Sequence, residues 1–177
     1  MKRLVFTCRA LVIACVLAGC GDKKQEPKQA AGKSGSEPAE PKRADVKLVK
    51  LDLSGTGFPL TIEAPEGATA KESLDNCRIK ADDSFQLEIR KGEESLAELK
   101  KAWQAQEANK LEAIVIETPD TFLIQTRDAA GKTQFHCFAN VKVGDQVYHC
   151  ENAKVAHYYT QADCELILRC AKTLAAK

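Results

Sequence analysis

Aromatic residues are scarce in this sequence, since six Phe, three Tyr and one Trp make up 6% of its 177 residues. Neither sign of charge is in excess either, because 26 basic residues face 25 acidic ones. Proteins that bind nucleic acid generally present a basic surface to the phosphates or aromatic side chains to the bases. The composition therefore predicts no nucleic-acid partner, and the length fits one modest globular domain.

A hydrophobic run long enough to span a membrane is also missing. The apolar segment Ala10–Ala18 covers nine residues, which is about half of the ~20 that a membrane-spanning helix requires. It follows Lys2, Arg3 and Arg9, and a basic start before a short apolar run is typical of a secretory signal peptide. We therefore predict that residues 1–19 are a signal peptide that is removed on export.

Familiar catalytic motifs are absent as well. The sequence contains no Gly-x-Ser-x-Gly, His-Glu-x-x-His or Gly-x-Gly-x-x-Gly motif, and no Cys-x-x-Cys redox motif. Glu63, Glu88 and Glu117 fall on predicted strands, where charged residues on a half-exposed sheet face are the ordinary interpretation. We therefore expect a protein that is not an enzyme and uses no cofactor. A hydrolase whose catalytic residues meet only in space is an alternative.

The end of the apolar run carries a cleavage motif. Leu17-Ala18-Gly19-Cys20 resembles the lipobox of bacterial lipoproteins at all four positions. The resemblance implies that the Cys20 thiol is acylated, with palmitate as an expected chain, and that cleavage occurs just before this residue. Two or three acyl chains anchor a protein stably, so we expect it to remain on a membrane. A soluble secreted protein that is cut elsewhere is the alternative.

The residues after Cys20 predict where the protein resides and how it is tethered. By resemblance to enterobacterial lipoprotein sorting, Gly21 in place of Asp favours the inner leaflet of the outer membrane, facing the periplasm. In a host with one membrane, the outer face of that membrane is expected. Residues 20–45 contain Pro27, Pro38 and Pro41 but no aromatic residue, and such a segment cannot bury enough apolar surface to fold. We interpret it as an acylated cysteine followed by a disordered tether.

Residues 46–177 form the predicted globular domain, which has a net charge of −3. Alternation of apolar and polar residues predicts eight strands; they lie at 46–53, 58–64, 77–80, 84–90, 111–117, 121–127, 132–143 and 146–154. The polar stretch between Pro65 and Asn76 is interpreted as a loop. The run Ala113–Ile116 is apolar throughout, which predicts a central strand that is covered on both faces.

Two helices are predicted from capping signals. Ser95 followed by Glu98 starts a helix that reaches Asn109, and Thr160 followed by Asp163 starts one that includes Leu174. Trp103 lies on the apolar stripe of the first helix, where a core role is the ordinary interpretation and a ligand anchor the alternative. The predicted class is α+β, with an antiparallel sheet, a mid-chain helix and a C-terminal helix.

The predicted order β-β-β-β-α-β-β-β-β-α resembles the PsbP-like fold over essentially the whole domain. The segment Phe58–Gly67 is similar to the entry strand of that superfamily, and Leu168–Leu174 is similar to its closing helix. Members are mostly binding or assembly factors without a catalytic centre, so the resemblance implies a non-catalytic role. The density of cysteines departs from the usual pattern of the superfamily.

Five cysteines remain after export: Cys77, Cys137, Cys150, Cys164 and Cys170. In an oxidising compartment we expect up to two disulfides and one free thiol. Cys164 and Cys170 are six residues apart on one helix and cannot pair. Cys137 and Cys150 lie on neighbouring predicted strands and are the first choice, which leaves Cys77 to pair with Cys164 or Cys170.

The repeated dipeptides His136-Cys137 and His149-Cys150 suggest a zinc or copper site as an alternative. Neighbouring residues in a strand point to opposite faces, so only His136 and His149, joined by His157, offer a three-imidazole site. Surface histidines without metal are the ordinary interpretation, so we expect no metal site. The sequence thus predicts a membrane-anchored envelope lipoprotein that binds another envelope protein. A metal-binding envelope protein and an envelope hydrolase are its rivals.

Overall fold

The computed structural model describes residues 43–177. The predicted signal peptide, Cys20 and nearly all of the predicted tether lie outside the described residues. Two α-helices and ten strands are present in the described part: β1 Leu48–Asp52, β2 Leu60–Pro65, β3 Thr69–Ser73, β4 Asn76–Lys80, β5 Gln86–Lys91, α1 Leu96–Gln104, β6 Asn109–Glu117, β7 Thr121–Asp128, β8 Thr133–Val143, β9 Gln146–Asn152, α2 Gln161–Ala171 and β10 Ala175–Ala176. No helix in this range is long and apolar enough to cross a membrane.

The strands form two antiparallel sheets. Seven of them build the larger sheet in the order β3-β4-β5-β9-β8-β7-β6, and β1, β2 and β10 build the smaller one. Pairing between β5 and β9 joins the early strands to the later ones, with Ile89 opposite Cys150. The predicted α+β class, with one mid-chain and one C-terminal helix, is confirmed.

The two faces of the large sheet are covered differently. One face packs against α2 and the small sheet, and these parts share one buried cluster that includes Ile62, Ile89, Cys137 and Ile167. We call this the core face. The opposite face carries α1 over β6, β7 and β8, with a smaller buried cluster of Phe122, Ile124 and Phe138. We call this the open face, because α1 is too short to cover all seven strands.

Both helices begin where the capping signals predict. Before α2, the Thr160 side chain accepts a hydrogen bond from the Asp163 N–H, and the Asp163 carboxylate accepts one from the Thr160 N–H. Before α1, the Ser95 hydroxyl accepts from the Glu98 N–H. The first helix ends at Gln104, five residues before the predicted end, and the second ends at Ala171.

Several strand predictions were wrong. Thr69–Ser73, interpreted as a loop, is the edge strand β3, and it looks like a loop in sequence because edge strands are polar. The run Ala113–Ile116 belongs to β6, which is the other edge of the sheet, and Ile114 is 36% exposed. Register shifts between Leu111 and Ala113 and between Ile114 and Ile116 interrupt the alternation of β6 side chains between the two faces of the sheet. Each extra residue moves the side chains that follow it to the opposite face.

The folded region begins before the predicted boundary at Val46. The Arg43 Nε atom lies 2.7 Å from a carboxylate oxygen of Asp163, whose side chain is only 4% exposed. The Arg43 guanidinium also donates a hydrogen bond to the Ser84 hydroxyl. Since a buried carboxylate is stabilised by a charged partner, Arg43 belongs to the folded domain.

Removal of the buried Tyr159 hydroxyl is expected not to destabilise the protein. Its side chain is buried in the main core, and its hydroxyl has no hydrogen-bond partner among residues 43–177. Because a buried hydroxyl without a partner is unfavourable, Tyr159→Phe should leave the free energy of unfolding unchanged or raise it by up to about 1 kcal/mol. Urea denaturation checks this.

The neighbouring tyrosine supplies the matched control. The Tyr158 hydroxyl donates a hydrogen bond of 2.7 Å to Asp128, so Tyr158→Phe should lower the stability. A clear loss on Tyr159→Phe would show that its hydroxyl is satisfied in solution and would contradict the prediction.

Candidate functional site

Polar side chains are concentrated on the part of the open face that α1 does not cover. The register aligns Arg78 with Glu88, Glu88 with Glu151, and Glu151 with Phe138 across four adjacent strands. The next row aligns Arg90, His149 and Asn140. Because residues two apart in a strand share a face, these two rows together form one polar surface beside α1.

A groove of about 420 Å³ lies between α1 and this surface. Its lining combines two aromatic rings, those of Trp103 and Phe138, with imidazole, carboxylate, guanidinium and ammonium groups. The residues that carry the polar groups are Arg90, Glu94, His136, Glu151 and Lys154. A concave site of this size with a few convergent polar groups is the usual form of a small binding site.

Trp103 and His136 form the apolar wall of the groove. Their ring centroids are 4.3 Å apart, and Trp103 also contacts Phe138 at 6.3 Å. Burial, with a contribution from the Lys154 charge, lowers the pKa of His136 to about 4, so the imidazole is neutral at pH 7. Trp103 packs on the small cluster, as the core interpretation predicts, and it also lines the groove.

The His149 imidazole is held by Asn140. The Asn140 amide nitrogen donates to the Glu94 carbonyl at 2.7 Å, so its side-chain oxygen faces the His149 Nδ1 atom at 2.9 Å. That oxygen can only accept, so Nδ1 carries the proton in neutral His149 and Nε2 presents a lone pair. Burial, with the nearby Arg90 charge, lowers the pKa of His149 to about 4.

The His149 Nε2 atom faces another acceptor. A carboxylate oxygen of Glu94 lies 3.7 Å from it, and Nε2 has no hydrogen-bond partner among the described residues although it is buried. Two acceptors at this separation do not bond to each other. The Glu94 oxygen already accepts a hydrogen bond from the Arg90 guanidinium, whereas His149 Nε2 is left for an N–H or O–H group placed beside it. The arrangement is therefore suited to a ligand that supplies a donor.

Two buried carboxylates lie side by side on the polar surface. Glu88 and Glu151 are opposite each other in the register and are 8% and 4% exposed. Arg78 forms an ion pair with Glu88, and Arg90 lies 3.2 Å from Glu151. Burial raises the pKa of Glu151, and the neighbouring Glu88 carboxylate raises it further. The positive charges of Lys154 and Arg90 lower it. This pair was not predicted, although alternating charged residues in otherwise buried strands signalled it.

The three histidines of the alternative metal site are not brought together. His136 and His149 share the open face as predicted, but His136 lies four residues along β8 from Asn140, the register partner of His149, which is roughly 13 Å. His157 packs edge-on against Tyr159 and lies 3.9 Å from Asp163. No group of three or more His, Cys, Asp or Glu residues in the described chain could hold a metal ion.

The five candidate disulfide cysteines are all buried and free, with no disulfide in the described residues. Cys150 is opposite Ala139, so Cys137 lies one step diagonal to it on the core face. Cys77 is separated from Cys150 by Ile89 on the intervening strand. The Cys137 thiol lies close enough to the Cys164 thiol to raise its pKa, a proximity that the sequence did not indicate.

No protein-family model matches this chain, and no curated protein matches it. The α+β class and the groove therefore stand on the structure alone.

Proposed function

We propose that the protein is a membrane-anchored envelope lipoprotein whose domain is a non-catalytic binding module for another envelope protein. The anchor is Cys20 within the lipobox-like segment, and the PsbP-like resemblance of the sequence favours binding over catalysis. Acyl chains confine the domain to a surface, where even weak binding to a neighbour can suffice because the effective concentration is high.

The observation that carries the proposal is the buried His149 Nε2 atom beside the groove, an acceptor with no hydrogen-bond partner among the described residues, 3.7 Å from the Arg90-paired Glu94 carboxylate. The Glu94 side chain is 38% exposed, so it can turn to admit a ligand group. Backbone N–H groups of an extended protein segment supply suitable donors, and an apolar side chain of that segment can rest on Trp103. The basic and acidic groups of the groove are balanced, which favours a segment without a large net charge.

The membrane anchor is tested first by fractionation. Cys20→Ser should move the protein from the membrane fraction to the soluble envelope fraction, because the acylated thiol is lost. Retention of the Cys20→Ser protein on the membrane would refute the lipid anchor while leaving the groove proposal to its own test.

The groove is tested by photo-crosslinking in cells. A photoreactive residue at Gln106, which lines the groove and is exposed, should give one discrete adduct with an envelope protein. The same residue at Lys71, exposed on the far edge strand β3, is the matched control and should not. Equal adducts from both positions, or none from Gln106, would contradict the proposal.

Glu94→Gln sharpens this test. The new amide can donate to His149 Nε2 and so takes the place of the partner's donor. We expect the Gln106 adduct to fall at least several-fold while the domain stays folded. An undiminished adduct would show that the His149 Nε2 acceptor is not the recognition element.

An envelope hydrolase remains a second candidate because of the buried Glu88–Glu151 pair. Carboxylates of differing pKa can divide acid and base roles, and burial holds the pKa of Glu151 above its ordinary value. Release of soluble fragments from purified envelope polymers, abolished by Glu151→Gln, would favour this activity over the binding role.

A further inference from the structure

Three of the cysteines lie where α2 packs on the core face of the large sheet. Cys137 lies on β8, Cys150 on β9 and Cys164 in the first half of α2, and each is at most 1% exposed. The Cys137 thiol lies close enough to the Cys164 and Cys150 thiols to raise the pKa of both. Cys137 is thus the shared member of the cluster.

The backbone fixes the approach of α2 to β8 at this point. The Phe135 N–H, two residues before Cys137, donates a 3.1 Å hydrogen bond to the carbonyl of Tyr159, just before the α2 cap. The Cys137 N–H itself donates to the Asn152 side chain at 2.8 Å. Because strand and helix entry are both held, the stretch of β8 around Cys137 and the start of α2 keep a fixed position relative to each other.

Three of the alternative pairings are geometrically poorer. Diagonal neighbours in an antiparallel pair have Cα atoms roughly 7–8 Å apart, so Cys137 and Cys150 lie at or beyond the ordinary disulfide limit of about 7 Å. Cys77 and Cys150 are separated by a whole strand, roughly 10 Å. Cys164 and Cys170 are on one helix, where a six-residue separation prevents bonding.

We propose that Cys137 and Cys164 form a disulfide in the exported protein, which fastens β8 to α2 and leaves Cys150 as a thiol. This pairing differs from the one that the sequence favoured, and it rests on the proposed function for its oxidising compartment. The oxidant is a protein or small-molecule disulfide. Two S–H bonds are lost, one S–S bond forms, and two electrons and two protons reduce the oxidant to two thiols.

Burial determines when the bond can form. The thiolate is the reactive species, and burial together with the Cys137 contact raises the pKa of Cys164. The folded, reduced domain should therefore oxidise slowly, whereas a chain that folds in the presence of the oxidant should be trapped in the linked form. Once formed, the buried bond is shielded from reductants by the same packing.

The sequence makes the test unambiguous, because trypsin places each of the five cysteines on a separate peptide. The cleavage products are 72–78, 133–142, 143–154, 155–169 and 170–172. The mature protein, residues 20–177 with Cys20 acylated, is unfolded, refolded in a mixture of oxidised and reduced glutathione, alkylated under denaturing conditions and digested. We expect 133–142 joined to 155–169, with alkylated Cys77, Cys150 and Cys170.

Other products would overturn the proposal. A link between 133–142 and 143–154 would establish the Cys137–Cys150 pair instead, and five alkylated peptides would show that no bond forms. Cys150→Ser, which removes the competing thiol, should leave the expected link intact, whereas Cys164→Ser should abolish it. Loss of the link in Cys150→Ser would also refute the assignment.

Digestion of protein taken from cells tests the cysteine pairing and the oxidising location separately. Protein taken from membranes under acid quench should carry the same link. If glutathione produces the link but cellular protein carries five thiols, the oxidising envelope location is wrong and the proposed function fails, while the pairing geometry stands.

Discussion

Asp163→Ala should lower the free energy of unfolding by about 3 kcal/mol, because it removes two supports from a buried position. The carboxylate completes the cap of α2 by accepting from the Thr160 N–H at 2.9 Å, and it forms the 2.7 Å ion pair with Arg43. Asp163 is only 3% exposed, so water cannot replace the hydrogen bond and the ion pair that the substitution removes. Urea denaturation followed by circular dichroism gives the value.

A double-mutant cycle separates the two supports. Arg43→Ala should also destabilise, and the combined variant should lose less than the sum of the single variants, with a coupling of about 1–2 kcal/mol. Glu98→Ala, at the same position of the exposed helix α1, is the matched control and should cost at most about 0.5 kcal/mol. A loss from Asp163→Ala no larger than that of Glu98→Ala would contradict the structural account.

The buried histidines should make the protein sensitive to mild acid. His149 is 2% exposed and stays neutral in the fold because burial lowers its pKa from 6.5 to about 4. Between these values the unfolded chain binds a proton that the folded chain does not, so stability is lost as the pH falls from 6.5 towards 4. The loss per histidine is at most about 1.4 kcal/mol per pH unit, and His136 acts in the same direction.

The test compares unfolding free energies between pH 7.5 and pH 5. His149→Gln should reduce the acid loss by up to about 2 kcal/mol relative to the natural sequence, even if it lowers stability at neutral pH. Phe138→Leu, a neighbouring change on the same face, should lower stability equally at both pH values. An unchanged pH dependence in His149→Gln would show that its imidazole is protonated as readily in the fold as in the unfolded chain.

The elements that follow from local rules were predictable. Both caps depend on residues three positions apart, and the strands β4, β5, β7, β8 and β9 alternate clearly enough to be predicted within a few residues. The places of β3 and β6 at the two edges of the large sheet were not predictable, because position in a sheet depends on distant pairing. The bulges of β6 produce an apolar run that looks like two-sided burial, and the polar β3 looks like a loop.

The groove was only partly predictable for the same reason. Trp103, His136 and His149 were singled out individually, and the shared face of the two histidines followed from strand parity. What the sequence could not show is that β5 pairs with β9, which brings Arg90 and Glu88 beside His149 and Glu151. The proximity of Cys137 and Cys164 likewise depends on how α2 is laid across the sheet, which no spacing rule determines.

That β5–β9 pairing also has a consequence for how the chain folds. The strands β3 to β5 are sequential hairpin neighbours, and so are β6 to β9, so each block can form from nearby contacts. Joining the blocks brings together residues about 60 positions apart, and such long closures slow folding. The groove spans this seam, with Arg90 on one side and Glu151 and His136 on the other. A nascent or partly refolded chain would therefore lack the binding surface until the seam has closed, so recognition and completed folding are coupled.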